Sequence, residues 1–320
     1  MNPAAAPRRS FLVTGVAGFI GSNLAERLLG GGARVVGIDN LAYGVIEQVP
    51  EGVEFHRGDI RDPALHSLYS GIDVVFHLAA KNCIADCQAD PVATFDINVH
   101  GTAHVFEAAR QARVRKIVYA ESSALYEGVS VMPTPEAEIA PESFYAYSKA
   151  AGRAVAEGYG RYANVAITAL RYFCVYGPRQ DYRRTIPPVM SAFIIKLLKG
   201  EQPVIYGNGR KRRDFVYVDD VNEFHEQCIA DPRTDGGTYN VGSGESYSVR
   251  EIYDRIAALL GSKVQPLYKS DLPGEAEATL ADVSAARELG WEPKTDLTTG
   301  LERSIQYIRE HVMLDASPVC

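Results

Sequence analysis

The chain has 320 residues, 46% of them hydrophobic and 23% charged, with a formal net charge of −7. That length allows one large or two modest domains with a real core, and the balance is ordinary for a soluble globular protein. It argues against non-specific binding to nucleic acid or to anionic membrane surfaces, and no stretch approaches a membrane-spanning helix. Five cysteines give no disulfide framework; they read as reduced thiols of a cytoplasmic protein. Cys83 and Cys87 stand four apart, but no second Cys/His pair sits at ligand spacing, so no metal site is expected.

In chain order the first segment is RRSFLVTGVAGFIG. Its Arg8-Arg9 pair imitates a twin-arginine export signal, but Gly15, Gly18 and Gly21 interrupt the apolar run, which reads better as a first strand. The triplet follows a strand and opens a helix, the context a dinucleotide-binding turn requires. Gly15 permits the tight turn, Gly18 lets backbone amides approach a pyrophosphate, and Gly21 lets the helix pack closely. RVVGID is the second strand, and Asp39 at its end lies eighteen residues past Gly21. A carboxylate there accepts from a ribose 2′-hydroxyl and repels a 2′-phosphate; with no arginine following it, NAD is expected rather than NADP.

VEFHRGD, with Asp59 in its GDIRD extension, DVVFHLAA, KIVYAES and VAITALRY continue the series of strands. Helical patterns such as GSNLAERLLGGG and VHGTAHVFEAARQA lie between most of them. The alternation predicts an α/β fold: a doubly wound parallel sheet of the Rossmann type over residues 1–170. Beyond about residue 170, helices PPVMSAFIIKLLKG, VREIYDRIAALLG and TTGLERSIQYIRE are separated by long loops rich in Gly, Pro and Arg. This predicts a smaller, interleaved substrate domain over 171–320, with a segment near 212–240 returning to the first domain.

Two stretches carry the chemistry. KIVYAESSALYEG ends a core strand on Glu121, Ser122 and Ser123, all able to carry a proton. FYAYSKA places Tyr145 and Lys149 four apart on one helix face. An ammonium beside a phenol stabilises phenolate and makes Tyr145 a usable base near neutral pH. Tyr-x-x-x-Lys alone is a common pattern; with Ser122 upstream and a dinucleotide site before it, the pair gains weight.

TGVAGFIG, HLAA, SSALY and Tyr145-x-x-x-Lys149 in this order resemble the extended short-chain dehydrogenase/reductase family. RYFCVYGPRQ, GRKRRDFVYVDDV and LGWEPKTDLTTGL resemble its nucleotide-sugar epimerase and dehydratase branch, so the likeness spans essentially the whole chain. It implies that NAD stays bound, oxidises a sugar at carbon 4 and takes its hydride back later. It implies a cofactor site built from Gly15, Gly18, Phe19, Ile20, Gly21, Asp39, Asn40, Asp59, Ile60, Leu78, Ala79, Ala80, Asn98, Tyr145, Lys149, Tyr172 and Val175. By the same resemblance Ser122 hydrogen-bonds the reacting sugar oxygen, and Lys81, Phe173, Cys174, Val189, Tyr206 and Arg213 face the nucleotide sugar, Arg213 its diphosphate. A homodimer formed through residues about 94–112 and 144–163 is a further implication.

The departures sharpen the reading. Relatives that remove water across carbons 4 and 6 carry Asp-Glu where this chain has Ser123-Ala124. A plain 4-epimerase needs only Tyr, Lys and Ser, yet Glu121, Lys81 and Cys83 stand where they could also move protons. Each also has a bland reading: a strand-end charge, a surface or phosphate contact, a small buried hydrophobe. Oxidation at carbon 4 acidifies the carbon-5 proton, and a base could then expel the carbon-6 hydroxyl and leave a 5,6-alkene. That resembles the UDP-N-acetylglucosamine-type 5,6-dehydratases of tunicamycin-type antibiotic biosynthesis, a lyase reading preferred here, with NDP-sugar 4-epimerase as the alternative. Cys174 replaces an amide and Leu272 an arginine of the family pattern; the neighbouring Arg210, Lys211 and Arg212 read as a solvated loop or as compensation. A non-enzymatic regulator is the competing class, opposed by the intact Ser122, Tyr145 and Lys149.

Overall fold

The computed structural model describes residues 8–183, 186–271 and 276–313. The chain begins β1 (Ser10–Thr14), α1 (Phe19–Gly30), β2 (Arg34–Asp39), β3 (Glu54–Arg57) and β4 (Val74–His77). Short helices α2 (Ile84–Ala89) and α3 (Pro91–Phe95) lead through a π-helical turn at Asp96–Gly101 into α4 (Thr102–Gln111). Then come β5 (Lys116–Ser122), α5 (Phe144–Tyr162), β6 (Ala166–Tyr172), β7 (Cys174–Tyr176), α6 (Val189–Leu198), β8 (Val204–Tyr206), β9 (Arg212–Tyr217) and α7 (Val218–Ala230). The chain closes with β10 (Thr238–Val241), β11 (Ser246–Ser248), α8 (Val249–Leu260), β12 (Leu267–Lys269), α9 (Ser284–Glu288) and α10 (Leu297–His311).

Among the described residues, seven strands form a central parallel sheet in the order β10-β6-β5-β4-β1-β2-β3. Its middle is held in register by Leu12 beside Val36 and Val75, and Val75 beside Ile117. These strands read as continuous apolar runs because helices cover both faces of a parallel sheet. The order reverses between β1 and β4, and such sheets bind ligands beyond the carboxyl ends of their strands at that reversal.

The chain divides into two units. The first holds residues up to Glu121, Ser148–Ala169 and His225–Gly237. Its core joins Leu12, Val36, Val75 and Ile117 to Val105 and Phe106 of α4. Lys116, buried at the start of β5, is neutralised within the unit by Asp235 at 2.6 Å and donates to the Thr234 hydroxyl. The second unit holds Ser122–Tyr147, Leu170–Phe224 and residues from Thr238 onward. Its core packs Phe193 and Ile194 of α6, Ile252 and Ile256 of α8, and Leu301 and Ile305 of α10.

The expected division was coarser. The returning stretch is 225–237 rather than about 212–240, and residues 122–147 belong with the second unit. The cause lies in polar anchoring. Tyr126 donates to Asn240 at 2.6 Å, and the fully buried Arg171 donates to Tyr126 at 2.8 Å and to the Glu136 carbonyl at 2.6 Å. Asp214 on β9, also fully buried, accepts from the amides of Ser243, Gly244 and Ala281 at 2.6–3.0 Å. Burial pushes its carboxyl pKa up while these donors pull it back. The basic run is only partly a solvated loop: Arg210 is exposed, but Lys211 is buried and β9 begins at Arg212 and pairs antiparallel with β11.

Candidate active site

The glycine turn follows β1. Gly15 takes φ +75°, a left-handed conformation open to glycine, and donates to the Ile38 carbonyl at 2.8 Å. A Cβ on Gly15 would lie 2.9 Å from the Ala79 amide nitrogen, so the β1 and β4 exits run side by side. A Cβ on Gly21 would lie 2.2 Å from the Gly15 carbonyl oxygen, whereas one on Gly18 would meet only that oxygen, at 3.1 Å. Gly18 caps α1 without a side-chain bond, and no acidic residue stands in the first turn. The helix start, with Phe19 and Ile20 half-buried, is thus shaped for a phosphate anion.

Asp39 accepts from the amides of Ala17 at 3.0 Å and Leu41 at 2.8 Å. Burial raises its pKa and those amides lower it. A Cβ on Gly44 would fall 2.9 Å from both Asp39 oxygens. Gly44 is therefore a participant the sequence reading missed; no recognised motif flags it. Asn40 donates to Asp59 at 3.1 Å, and Arg61 holds the Asp59 carboxyl far below the carboxylate range. Ile60 packs beneath Gly101, where a Cβ would lie 2.6 Å from its side chain.

HLAA is fixed by a hydrogen-bond chain through a neutral histidine. Burial, with the nearby Lys149 charge adding to it, brings the His77 pKa down to about 3. The Thr102 hydroxyl donates to the Asn98 carbonyl at 2.7 Å, so it accepts from His77 Nε2 at 3.0 Å. Nδ1 then accepts from Thr14 at 2.8 Å, while Thr14 takes the amides of Leu78 and Ala79, each at 3.2 Å. The Asn98 side chain clamps the next residue, accepting from the Lys81 amide at 2.8 Å and donating to the Lys81 carbonyl at 2.9 Å and to Ser148 at 2.9 Å. Ala80 is half-buried in the same stretch.

Lys81 and Cys83 are both buried. The Lys81 ammonium donates to the Asp90 carbonyl at 3.2 Å and lies 3.7 Å from its carboxylate, which ties the loop to the α2–α3 junction. Cys83 caps α2, its carbonyl accepting from Cys87 at 2.9 Å.

Lys149 donates to the Ala120 carbonyl at 2.8 Å and lies 5.4 Å over the Tyr119 ring. Burial brings its pKa down to about 8 against the opposing pull of Glu121 and Cys87. Glu121 is 2% exposed, so it is a buried group and not the solvated end of a strand. Side chains alternate along β5; Glu121 shares the Tyr119 side and Ser122 takes the other. Gly152 was also missed, although a glycine inside a helix signals close approach: its Cβ would lie 2.3 Å from the Tyr119 hydroxyl.

In the second unit the Ser122 hydroxyl accepts from the Ala124 amide at 3.1 Å and caps the turn Ser123–Tyr126. Ser123 and Tyr145 are half-buried; Tyr145 stands one turn before Lys149 on α5. Tyr172 closes β6, the Phe173 ring lies tilted against that of Tyr126 at 5.9 Å, and Cys174 and Val175 lie on β7 beside Phe215 and Val216 of β9. Val189 opens α6 and Tyr206 closes β8, both half-buried. Arg213 donates to the carbonyls of Arg212 at 2.9 Å and Ala276 at 2.7 Å. Its neighbours are spent locally, Lys211 on Asp271 at 2.6 Å and Arg212 on Ser246 and Glu251. Leu272 lies outside the described residues.

The profile of the NAD dependent epimerase/dehydratase family matches residues 11–242. The chain belongs to that family. It is 36% identical to the UDP-glucose 4-epimerase of Mycolicibacterium smegmatis over 93% of this chain and 98% of that one. The UDP-N-acetylglucosamine 4-epimerase of Methanobrevibacter ruminantium, solved with UDP-N-acetylmuramic acid, superposes with a TM-score of 0.91 at 30% identity, covering 95% of this chain and 99% of that one. The Thermus thermophilus UDP-glucose 4-epimerase, solved with NAD, gives 0.87 at 34% identity over 94% and 99%. The chain is an NAD-dependent enzyme, and its glycine cradle and Asp39 fit that cofactor. These relatives are isomerases, and they carry neither the lyase reading nor the likeness to tunicamycin-type dehydratases.

Proposed function

We propose that the chain acts at carbon 4 of a UDP-hexose or UDP-hexosamine and is a 4-epimerase. The observation that carries this is Tyr145 and Lys149 one turn apart on α5, with the Lys149 ammonium fixed at the carboxyl end of β5; relatives that are UDP-sugar 4-epimerases support the substrate class. Bound NAD supplies a hydride acceptor that later becomes the donor. Tyr145 takes the proton of the 4-hydroxyl, and the Lys149 charge stabilises the phenolate that does so. Ser122 hydrogen-bonds the same oxygen. Ser123 and Ala124 supply no acid/base pair for 4,6-elimination.

A second reading, 5,6-elimination from the 4-keto sugar, is favoured by one observation. Glu121, Cys83 and Lys81 are all buried and proton-bearing, near Lys149 or near the Cys87 that faces it, and a 4-epimerase needs none of them to move a proton on the sugar. Here Cys83 takes the carbon-5 proton and Lys81 protonates the departing 6-hydroxyl, since Glu121 projects to the side of β5 away from Ser122. Four described cysteines are free, which supports a cytoplasmic setting, and no described helix is long and apolar enough to cross a membrane. Phe95 of α3 and Phe144, Tyr147 and Tyr162 of α5 are exposed apolar side chains, as homodimerisation through those segments requires.

A proton NMR time course with UDP-N-acetylglucosamine and UDP-glucose in deuterated water tests both readings. A 4-epimer without deuterium at carbon 5 supports the first, and a 5,6-alkene supports the second. Tyr145→Phe is expected to lose either product by about a hundredfold or more; substantial turnover in that variant refutes the shared first step.

A further inference from the structure

We infer that Glu121 is a positioning residue, the buried counter-charge of the Lys149 ammonium. The geometry rests on strand alternation. Lys149 Nζ binds the Ala120 carbonyl at 2.8 Å and lies over the ring of Tyr119 at 5.4 Å. Tyr119 and Glu121 flank Ala120 and project to one side of β5, so the ammonium lies on the side of the strand that carries the Glu121 carboxylate. Both residues are almost wholly buried, Lys149 at 4% exposure and Glu121 at 2%. An ammonium in that setting stays charged only if an opposite charge is close.

The other groups facing Lys149 do not supply that charge. His77, from β4, is a neutral imidazole stacked on Tyr119 at 5.7 Å. Cys87, from α2, also opposes the fall of the Lys149 pKa, but burial pushes its own pKa up and holds it as the neutral thiol. Lys81, on the loop beyond β4, is a cation committed to Asp90. On α5 itself, Ser148 bonds Asn98, and Tyr145 is the group that Lys149 serves. Glu121 is the one carboxylate among these described neighbours, and its attraction opposes the burial that depresses Lys149. The role rests on the proposed function insofar as Lys149 acts on Tyr145; the charge pair itself does not.

Two measurements test it without turnover. The first is the ¹³Cε titration of Lys149 in ¹³C-lysine protein, assigned from Lys149→Arg. The wild-type midpoint is expected near 8. In Glu121→Gln it is expected to fall by about one to three pH units, with Glu121→Asp recovering most of the shift. A midpoint unmoved in Glu121→Gln overturns the inference. The second is thermal unfolding of a double-mutant cycle, usable if one single variant folds poorly. Lys149→Met strands a buried carboxylate, so adding Glu121→Gln is expected to raise its unfolding temperature; additive losses overturn the pair.

The consequence for activity is read separately from the pH profile of bound-NAD reduction by a UDP-sugar. Its alkaline limb is expected to move down in Glu121→Gln and to return in Glu121→Asp. Lost reduction with an unmoved limb would place Glu121 on the substrate and overturn the positioning role. If none of the UDP-sugars reduces the NAD bound to wild type, the proposed function fails while the titration still decides the charge pair.

Discussion

Two alanine substitutions, Gly18→Ala and Gly21→Ala, separate the parts played by the glycines. On Gly21 the new methyl carbon would stand 2.2 Å from the Gly15 carbonyl oxygen and 2.9 Å from its carbon. A carbon–oxygen contact needs about 3.3 Å, so the turn must open by about 1 Å, and it is backbone that has to move. Such overpacking costs about 1–3 kcal/mol, against about 0.5–1 kcal/mol gained by removing a helical glycine. On Gly18 the methyl carbon would meet only the Gly15 oxygen, at 3.1 Å, and φ is an ordinary −82°. That variant should keep its fold and lose cofactor, because the methyl takes the space where a pyrophosphate meets the helix start. Losing one charge-assisted bond, about 1.5–3 kcal/mol, weakens NAD by about ten- to a hundredfold. The assay is NAD content after purification, with thermal unfolding with and without added NAD. Gly18→Ala is expected to match wild type without NAD and to be stabilised less by adding it. Gly21→Ala is expected to unfold earlier in both conditions. A Gly18→Ala protein that binds NAD like wild type, or a Gly21→Ala protein of undiminished stability, would refute the reasoning.

Asp39→Ala removes the carboxylate at the end of β2, where Ala17 and Leu41 hold it; the ratio of NAD to NADP affinity should fall by tenfold or more, and an unchanged ratio in direct binding measurements would reject the ribose assignment. His77 and His225 both have folded pKa values near 3, depressed chiefly by complete burial, against about 6.5 unfolded. The unfolded chain therefore binds more protons below pH 6.5, so this stabilisation is present above that pH and is lost as pH falls. At pH 5 the loss is about 2 kcal/mol for each histidine. Hydrogen exchange of β4 peptides between pH 7 and 5, corrected for intrinsic rates, should show it, with His225→Phe removing about half the slope; a flat profile would disprove the burial argument.

The doubly wound sheet was legible because its information is local and periodic. Apolar runs such as FLVT and VVFH, the helices between them and glycines at fixed spacing each state their own geometry. Tyr145 and Lys149 were legible for the same reason, one helical turn being a spacing. What was not legible depends on neighbours distant in sequence. The polar anchoring of Tyr126 by Asn240 and Arg171 places residues 122–147 in the second unit, and nothing between positions 122 and 147 announces it. Glu121 reads as a strand end because its sequence neighbours are polar, but the Lys149 ammonium arrives from α5, 28 positions on. Lys211 and Arg212 read as surplus charge because Asp271, Ser246 and Glu251, which use them, lie 34–60 residues away.

The two readings of the reaction part only after the sugar has been oxidised at carbon 4, and the difference is where the next proton goes. A 4-keto sugar has an acidic proton at carbon 5, so an epimerase must keep competent bases away from it, whereas a 5,6-dehydratase must place one there. Of the three extra proton-bearing groups, the Lys81 ammonium is bonded to Asp90 and Glu121 is accounted for by Lys149. Cys83 is the one left without a structural duty for its side chain: its backbone carbonyl, not its sulfur, caps α2. The dehydratase reading therefore stands or falls on the Cys83 thiol. If wild type exchanges the carbon-5 proton for deuterium and Cys83→Ser does not, the thiol is the base and elimination is the chemistry. If wild type turns over UDP-sugars with no deuterium at carbon 5, Cys83 is a buried apolar filler and the chain is a 4-epimerase.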